Sequence, residues 1–229
     1  MPRFYFSRFL RVACLLTALN VVASAQDEAM PSAANPTPAA PVAADPGVVV
    51  DQFEFQYGLE HPQLPRLEEV GKITVRLSRE DGVWRPAKAL NGGELLTLGN
   101  IPAGSRFDAA ALRQIAQDVV RWYNARDLYG VWVAFSELEA TATGISDRRP
   151  ADDHAARVKI WASQVAEVRT LARGTRFKPQ ASVNNKKHRG IILHSPLQPA
   201  KGDQPGSLFH QRLLNDYLQG LSQHPGRLV

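Results

Sequence analysis

The sequence predicts an α+β fold, and three observations carry that expectation. Gln52-Phe53-Glu54-Phe55-Gln56-Tyr57 and Ile73-Thr74-Val75-Arg76-Leu77 alternate apolar and polar residues, the period of a half-buried strand. Between Asp108 and Arg126 the apolar residues Leu112, Ile115, Val119 and Trp122 return every three or four positions, which gives a helix one buried face. Val131-Trp132-Val133-Ala134-Phe135 follows that helix at once as a further strand, so the expected architecture is a small mixed sheet with helices on one face.

Taken from the amino terminus, Arg3, Arg8 and Arg11 precede an apolar run from Val12 to Val22, and Ala23-Ser24-Ala25 supplies the small-x-small pattern of a signal peptidase site. Residues 1–25 therefore read as a secretory signal cut before Gln26. The apolar run falls well short of the roughly 20 residues that a membrane-spanning helix needs. Cys14, the only cysteine, sits at the start of that run rather than its end, so lipidation there is not expected. Removing the signal removes this cysteine and three of the 27 basic residues, and the net charge falls from +5 to +2. An exported chain without cysteine is held together by core packing, not by disulfides, which suits a Gram-negative periplasm.

Residues 26–47 are mostly Ala, Pro and small polar residues, with prolines at 31, 36, 38, 41 and 46, and read as a flexible tether. From Val48 to Tyr57 a strand is expected with Val49, Asp51, Phe53, Phe55 and Tyr57 on one face and Gln52, Glu54 and Gln56 on the other. Asp81-Gly82 is a turn signal that closes a hairpin from Ile73–Leu77 back through Val83-Trp84. Ser105, three residues before Asp108, resembles a capping box and opens the helix that runs to about Arg126. Asp127-Leu128-Tyr129-Gly130 ends it. A polar loop from Thr141 to His154 leads to strands at Val158-Lys159-Ile160-Trp161 and Val165 to Leu171.

A first domain over 48–172 with an insertion is therefore expected, the run from His61 to Ile101 having no role that its pattern reveals. A second unit over 173–229 has its own helix, Leu208 to Leu221, with Leu214, Tyr217, Leu218 and Leu221 on one face. Its last residues, a turn at Pro225-Gly226-Arg227 followed by Leu228-Val229 as the first two residues of a strand, predict an incomplete second domain.

The residues with chemical potential form no catalytic constellation. Adjacent side chains of Asp152-Asp153-His154 on an extended loop point to opposite sides, and no second cluster at ligand spacing accompanies them. Glu137 and Glu139 share a face, but neither Ser136 nor Ser146 lies in a nucleophile-elbow pattern. No enzyme activity, cofactor or metal is expected. Between Arg173 and Gly202 the chain has Arg173, Arg176, Lys178, Lys186, Lys187, Arg189 and Lys201 with no acidic residue. That stretch reads either as a solvated loop or as a contact for an anionic partner, whether a lipid headgroup, lipopolysaccharide or an acidic polypeptide. No nucleic-acid reading module is recognisable. Trp132 and Trp161 lie opposite the valines of their strands and are expected to be partly exposed.

Three segments together resemble the periplasmic part of two-partner secretion transporters, the hemolysin activation and secretion family, whose members carry two POTRA domains before an outer-membrane barrel. The first is the long helix running into Tyr129, Gly130, Val131 and Val133. The second is Val165 to Gly174. The third joins Ser195 and Pro196, Tyr217 and Leu218, and Pro225, Gly226 and Arg227 as a Ser-Pro turn, a helix and a Pro-Gly-Arg turn. The resemblance covers roughly Val48 to Val229. It implies βααββ domains in which these motif residues are mostly structural, and a sheet edge that accepts an extended segment of a secreted passenger protein by strand addition. The barrel, which such a transporter needs, has no counterpart in this sequence. A free periplasmic adaptor or envelope scaffold is the alternative that the same residues allow.

Overall fold

A computed structural model of the chain describes residues 47–88, 92–141, 144–172 and 182–223. The signal, the tether up to residue 46, Arg173, Arg176, Lys178 and Pro225-Gly226-Arg227 lie outside the described residues. The fold is mixed α+β, with several small sheets and few helices. The expected single strand from Val48 to Tyr57 is two. β1 (Val48–Val50) and β2 (Gln52–Tyr57) are separated at Asp51 and belong to different sheets. The break falls at Asp51, the one charged residue on the otherwise apolar face of the expected strand.

The segment after β2 builds most of the first sheet. A short helix α1 (Leu67–Gly71) leads to β3 (Thr74–Glu80), β4 (Val83–Pro86), β5 (Glu94–Thr97) and β6 (Ser105–Phe107). Their order is β1-β6-β4-β3-β5, antiparallel except for the parallel pair β4 and β6. The β3–β4 hairpin closes at Asp81-Gly82 as expected. Both turn residues have positive φ, 52° and 80°, the backbone of a tight turn whose twist matches the flanking strands.

Helix α2 (Ala109–Asn124) occupies the expected place, but its opening differs. Ser105 is a buried residue of β6 whose hydroxyl donates to the Pro102 carbonyl, and Asp108 is the cap, its carboxylate accepting from the Ala111 amide at 2.6 Å. Leu112, Ile115 and Val119 are fully buried, each worth roughly 1.5–3 kcal/mol of burial. The fourth place on that face belongs to Tyr123 and not to Trp122, which is only half-buried. The helix packs on β3 and β4 of the first sheet and also on the strands that follow it, so it is covered from two sheets rather than lying on one face.

Those strands are β7 (Leu128–Tyr129), β8 (Val131–Phe135), the hairpin of β9 (Leu138–Thr141) with β10 (Gly144–Asp147), and β11 (Ala155–Ala162). The second sheet has the order β2-β11-β8, with β11 parallel to β2 and antiparallel to β8. One continuous core joins both sheets through α2, and Phe53 touches Phe107 edge-on at 5.5 Å and Phe135 at 6.3 Å.

Residues 165–170 form no strand, in contrast to the expectation; single bridges link Gln164 to Leu208 and Leu171 to Val183. Helix α3 (Arg189–Leu193) and the two-residue strand β12 (Phe209–His210) precede α4 (Gln211–Ser222). The last helix thus starts three residues later than Leu208, which is instead extended and buried in the common core. β12 pairs with β7, and the Asp127 carboxylate accepts from the Arg212 amide at 2.8 Å, capping α4 from the end of α2. Among the described residues no helix is long and apolar enough to cross a membrane.

Two buried polar contacts give tests of this architecture. Tyr57 Oη donates to the Pro65 carbonyl at 2.7 Å, which uses its only proton, so Tyr123 Oη donates to Tyr57 Oη at 2.8 Å. Burial pushes both hydroxyls above the ordinary tyrosine range. Tyr57→Phe leaves the fully buried Tyr123 hydroxyl without its acceptor and is expected to cost about 1–3 kcal/mol, against about 1 kcal/mol for Tyr123→Phe. Urea midpoints with unchanged slopes measure both, and the reverse order would refute the donor assignment.

Arg149, whose side chain is 3% exposed, donates to the Val49 carbonyl of β1 at 2.8 Å and to the Ala155 carbonyl of β11, and pairs with Asp147. Arg149→Met is expected to cost about 2 kcal/mol, with Arg149→Lys only partly restoring it because an ammonium lacks the planar fork. The neighbouring carboxylates set an acid limit. The Gly104 amide and then His154 lower Asp51, the Arg149 guanidinium lowers Asp147, and the Ala155 amide and then Arg157 lower Asp153. A carboxyl lowered in the fold stabilises it fully above the ordinary aspartate value of 3.8, and that contribution is lost as pH falls through the lower folded value. Thermal midpoints should hold steady down to about pH 4 and fall as the pH drops from 3.8 through the lower folded values, with a smaller drop in Asp51→Asn.

Candidate functional site

Strand β8 lies at one edge of the β2-β11-β8 sheet, and its register fixes which backbone groups are used. The Ser136 amide donates to the Arg157 carbonyl at 2.9 Å and the Ser163 amide to the Gly130 carbonyl at 3.0 Å. In an antiparallel ladder such bonds recur at every second residue, so Trp132 and Ala134 bond to β11 between these two ends. Val131, Val133 and Phe135 therefore turn their N–H and C=O groups to the open side. Among the described residues no hydrogen bond satisfies them there.

That open side faces a groove made of two adjoining hollows, of about 290 Å³ and 600 Å³. Arg113, Ala116, Gln117, Val120 and Arg121 recur at helical spacing along α2 beside its buried face and form one wall. Val133 and its neighbours in β8 form the floor, while Leu138 to Ala140 and Arg148 form the far wall. Ala116 is small, and this lets the hollow approach the helix axis. The electrostatics are uneven. Glu139 is held by Arg148 at 3.0 Å, Glu137 by Arg157 at 2.7 Å, and Arg121 by Asp118 at 2.6 Å. Arg113 donates to the Thr141 carbonyl at 2.6 Å, and it is the one groove cation without a carboxylate partner among the described residues.

On the sheet face turned away from α2, Trp132 and Trp161 are a directly opposed cross-strand pair with ring centroids 4.9 Å apart. Trp132 is 63% exposed, and Trp161 lies against the backbone of Gly58, where a Cβ would meet its indole.

The other sequence candidates fall as follows. Tyr129 pairs with Phe209 in β7, and Val131 and Val133 bury their side chains in the core while their backbone forms the open edge. Ser195 is buried and its hydroxyl accepts from the Leu197 amide across exposed Pro196. Tyr217 donates to the Ile191 carbonyl at 2.5 Å, tying α4 to α3, with Leu218 half-buried beside it. Lys186 and Lys187 stand exposed on a turn of 3-10 helix, and exposed Arg189 begins α3. None of these borders the groove. Asp153 is occupied by Arg157 at 2.8 Å and His154 by Asp51 at 3.2 Å; among the described residues no group of three His, Cys, Asp or Glu side chains converges as a metal site needs. The sequence reading did not single out Arg113 or Ala116, because on a helix they look like any residues of a solvated face.

A scan of protein-family models, a search of curated proteins and a search of solved structures each find no match for the chain.

Gly130 sets the start of the edge strand. Its φ is +71°, and an added Cβ would stand 3.0 Å from the Ser163 side chain. Gly130→Ala should destabilise by about 1–2 kcal/mol for the left-handed backbone alone. Ser163→Gly removes both the contact and the bond of the Ser163 hydroxyl to the Gly130 carbonyl at 2.8 Å, so the Gly130→Ala cost measured in the Ser163→Gly background by thermal unfolding should fall by the contact part only.

Proposed function

We propose that the chain is an exported recognition module of the cell envelope that captures an extended segment of a secreted protein by adding it as a strand to β8. The observation that carries this reading is the run of outward-facing backbone groups at Val131, Val133 and Phe135 beside the groove under α2. Unpaired strand backbone next to an apolar wall is the arrangement in which main-chain bonds supply affinity and alternate side chains supply selectivity. Chain order supports the POTRA resemblance. With β1, β3–β7, the β9–β10 hairpin and the elements after β11 set aside, β2, α1, α2, β8 and β11 follow one another as a βααββ unit. Two departures accompany it: α1 is a five-residue turn of helix, and β3, β4, β5 and β6 join β1 in a sheet of their own. On this reading the module works in the periplasm with a secreted passenger, and an outer-membrane barrel is the partner that completes transport.

The test uses the amino-terminal region of a large secreted protein encoded nearby, with a scrambled version as control. Enrichment on the immobilised chain over the scrambled segment is expected. Hydrogen exchange resolved by residue should show new protection at the amides of Val131, Val133 and Phe135, while Trp132 and Ala134, already bonded to β11, change little. Binding that leaves the three edge amides unprotected would refute the edge assignment.

A further inference from the structure

The edge groove carries a charge preference of its own, and this inference rests on the strand-addition reading above. A strand laid along β8 presents alternate side chains to opposite faces. Those on the face toward α2 enter the groove and meet Ala116, Val120 and Arg113; those on the other face line up with Trp132. The groove's own carboxylates, Glu137 and Glu139, are already matched by Arg157 and Arg148. Arg113 is held across the hollow by its bond to the Thr141 carbonyl, which engages one terminal nitrogen and leaves further N–H donors of the guanidinium for a ligand. It lines both hollows, and no carboxylate among the described residues pairs with it.

We propose that the groove selects extended polypeptide segments carrying an acidic side chain on the face turned toward α2, where the carboxylate pairs with Arg113. The second face of the same segment places a residue beside Trp132. Because Trp132 and Ala134 spend their backbone bonds on β11, an antiparallel incoming strand meets Trp132 at a non-hydrogen-bonded position, where opposed side chains approach most closely. An apolar or β-branched residue there covers the exposed indole. The recognised pattern is therefore an alternation of acidic or small residues with apolar ones.

Three synthetic peptides of about eight residues test this, built on one alternating Thr/Val framework with Glu, Gln or Lys as the groove-facing guest. Trp fluorescence titration of the purified chain should give the Glu peptide about fivefold tighter binding than the Gln peptide, the size of a solvent-edged ion pair, with the gap closing at high salt. In Arg113→Gln the gap should vanish, and in Arg113→Glu the Lys peptide should become the tightest. Arg113 is exposed on the helix surface, and the reversal in Arg113→Glu distinguishes lost charge from lost fold. Equal affinity of all three peptides with the β8 amides protected would overturn the charge preference and leave strand addition standing. Binding of none, with no amide protected, would overturn both. A Glu preference that persists in Arg113→Gln would overturn the role given to Arg113, and Arg113-dependent binding of phosphatidylglycerol vesicles in place of peptides would overturn the polypeptide class.

Discussion

At Asp51 the chain passes from one sheet into another, and the bonds around that residue hold the two sheets in register. Its amide donates to the His154 carbonyl, while its carboxylate accepts from the Gly104 amide at 2.5 Å and meets the His154 ring. Arg149 reaches over the same point to the carbonyls of β1 and β11. Each of these contacts joins segments far apart in sequence. None can form until β6, β11 and the β1–β2 passage are already together. Closing such loops costs entropy before any contact is gained, so these contacts support one another rather than forming singly. Once it forms, α2 is enclosed between two sheets, and its buried face can be larger than a single sheet would cover.

Local physics made part of this legible in advance. The helix from Asp108, the strand at Val131–Phe135 and the Asp81-Gly82 hairpin all follow from short-range rules of period and turn chemistry, and the structure has them where the sequence placed them. The break at Asp51, the parallel pairing of β4 with β6 and the capping of α4 by Asp127 depend on partners fifty or more residues away in most cases, which no local pattern records. Tyr123 replaced Trp122 in the core because its hydroxyl finds Tyr57 there, a pairing visible only in three dimensions. The edge groove was hidden for a similar reason: Arg113 and Ala116 stand out only once β8 is seen, among the described residues, to have no neighbour on that side.

An open edge is a hazard as well as a resource, since it offers a template to any extended chain. Here the exposed run is five residues long, bounded by Gly130 in a left-handed backbone at one end and by the bend at Ser136-Glu137 before β9 at the other. A short, framed edge limits indiscriminate pairing between copies while it leaves room for one segment of matching pattern.

The two tryptophans at that edge give it an optical character. Indole rings with centroids 4.9 Å apart couple their electronic transitions, and the sign and size of the resulting circular dichroism couplet depend on the angle between them, 31° here. Trp161 is wedged against Gly58 while Trp132 stands largely exposed. A strand that settles beside Trp132 and turns its ring changes that angle, which makes the couplet a chiroptical gauge of the edge's occupancy.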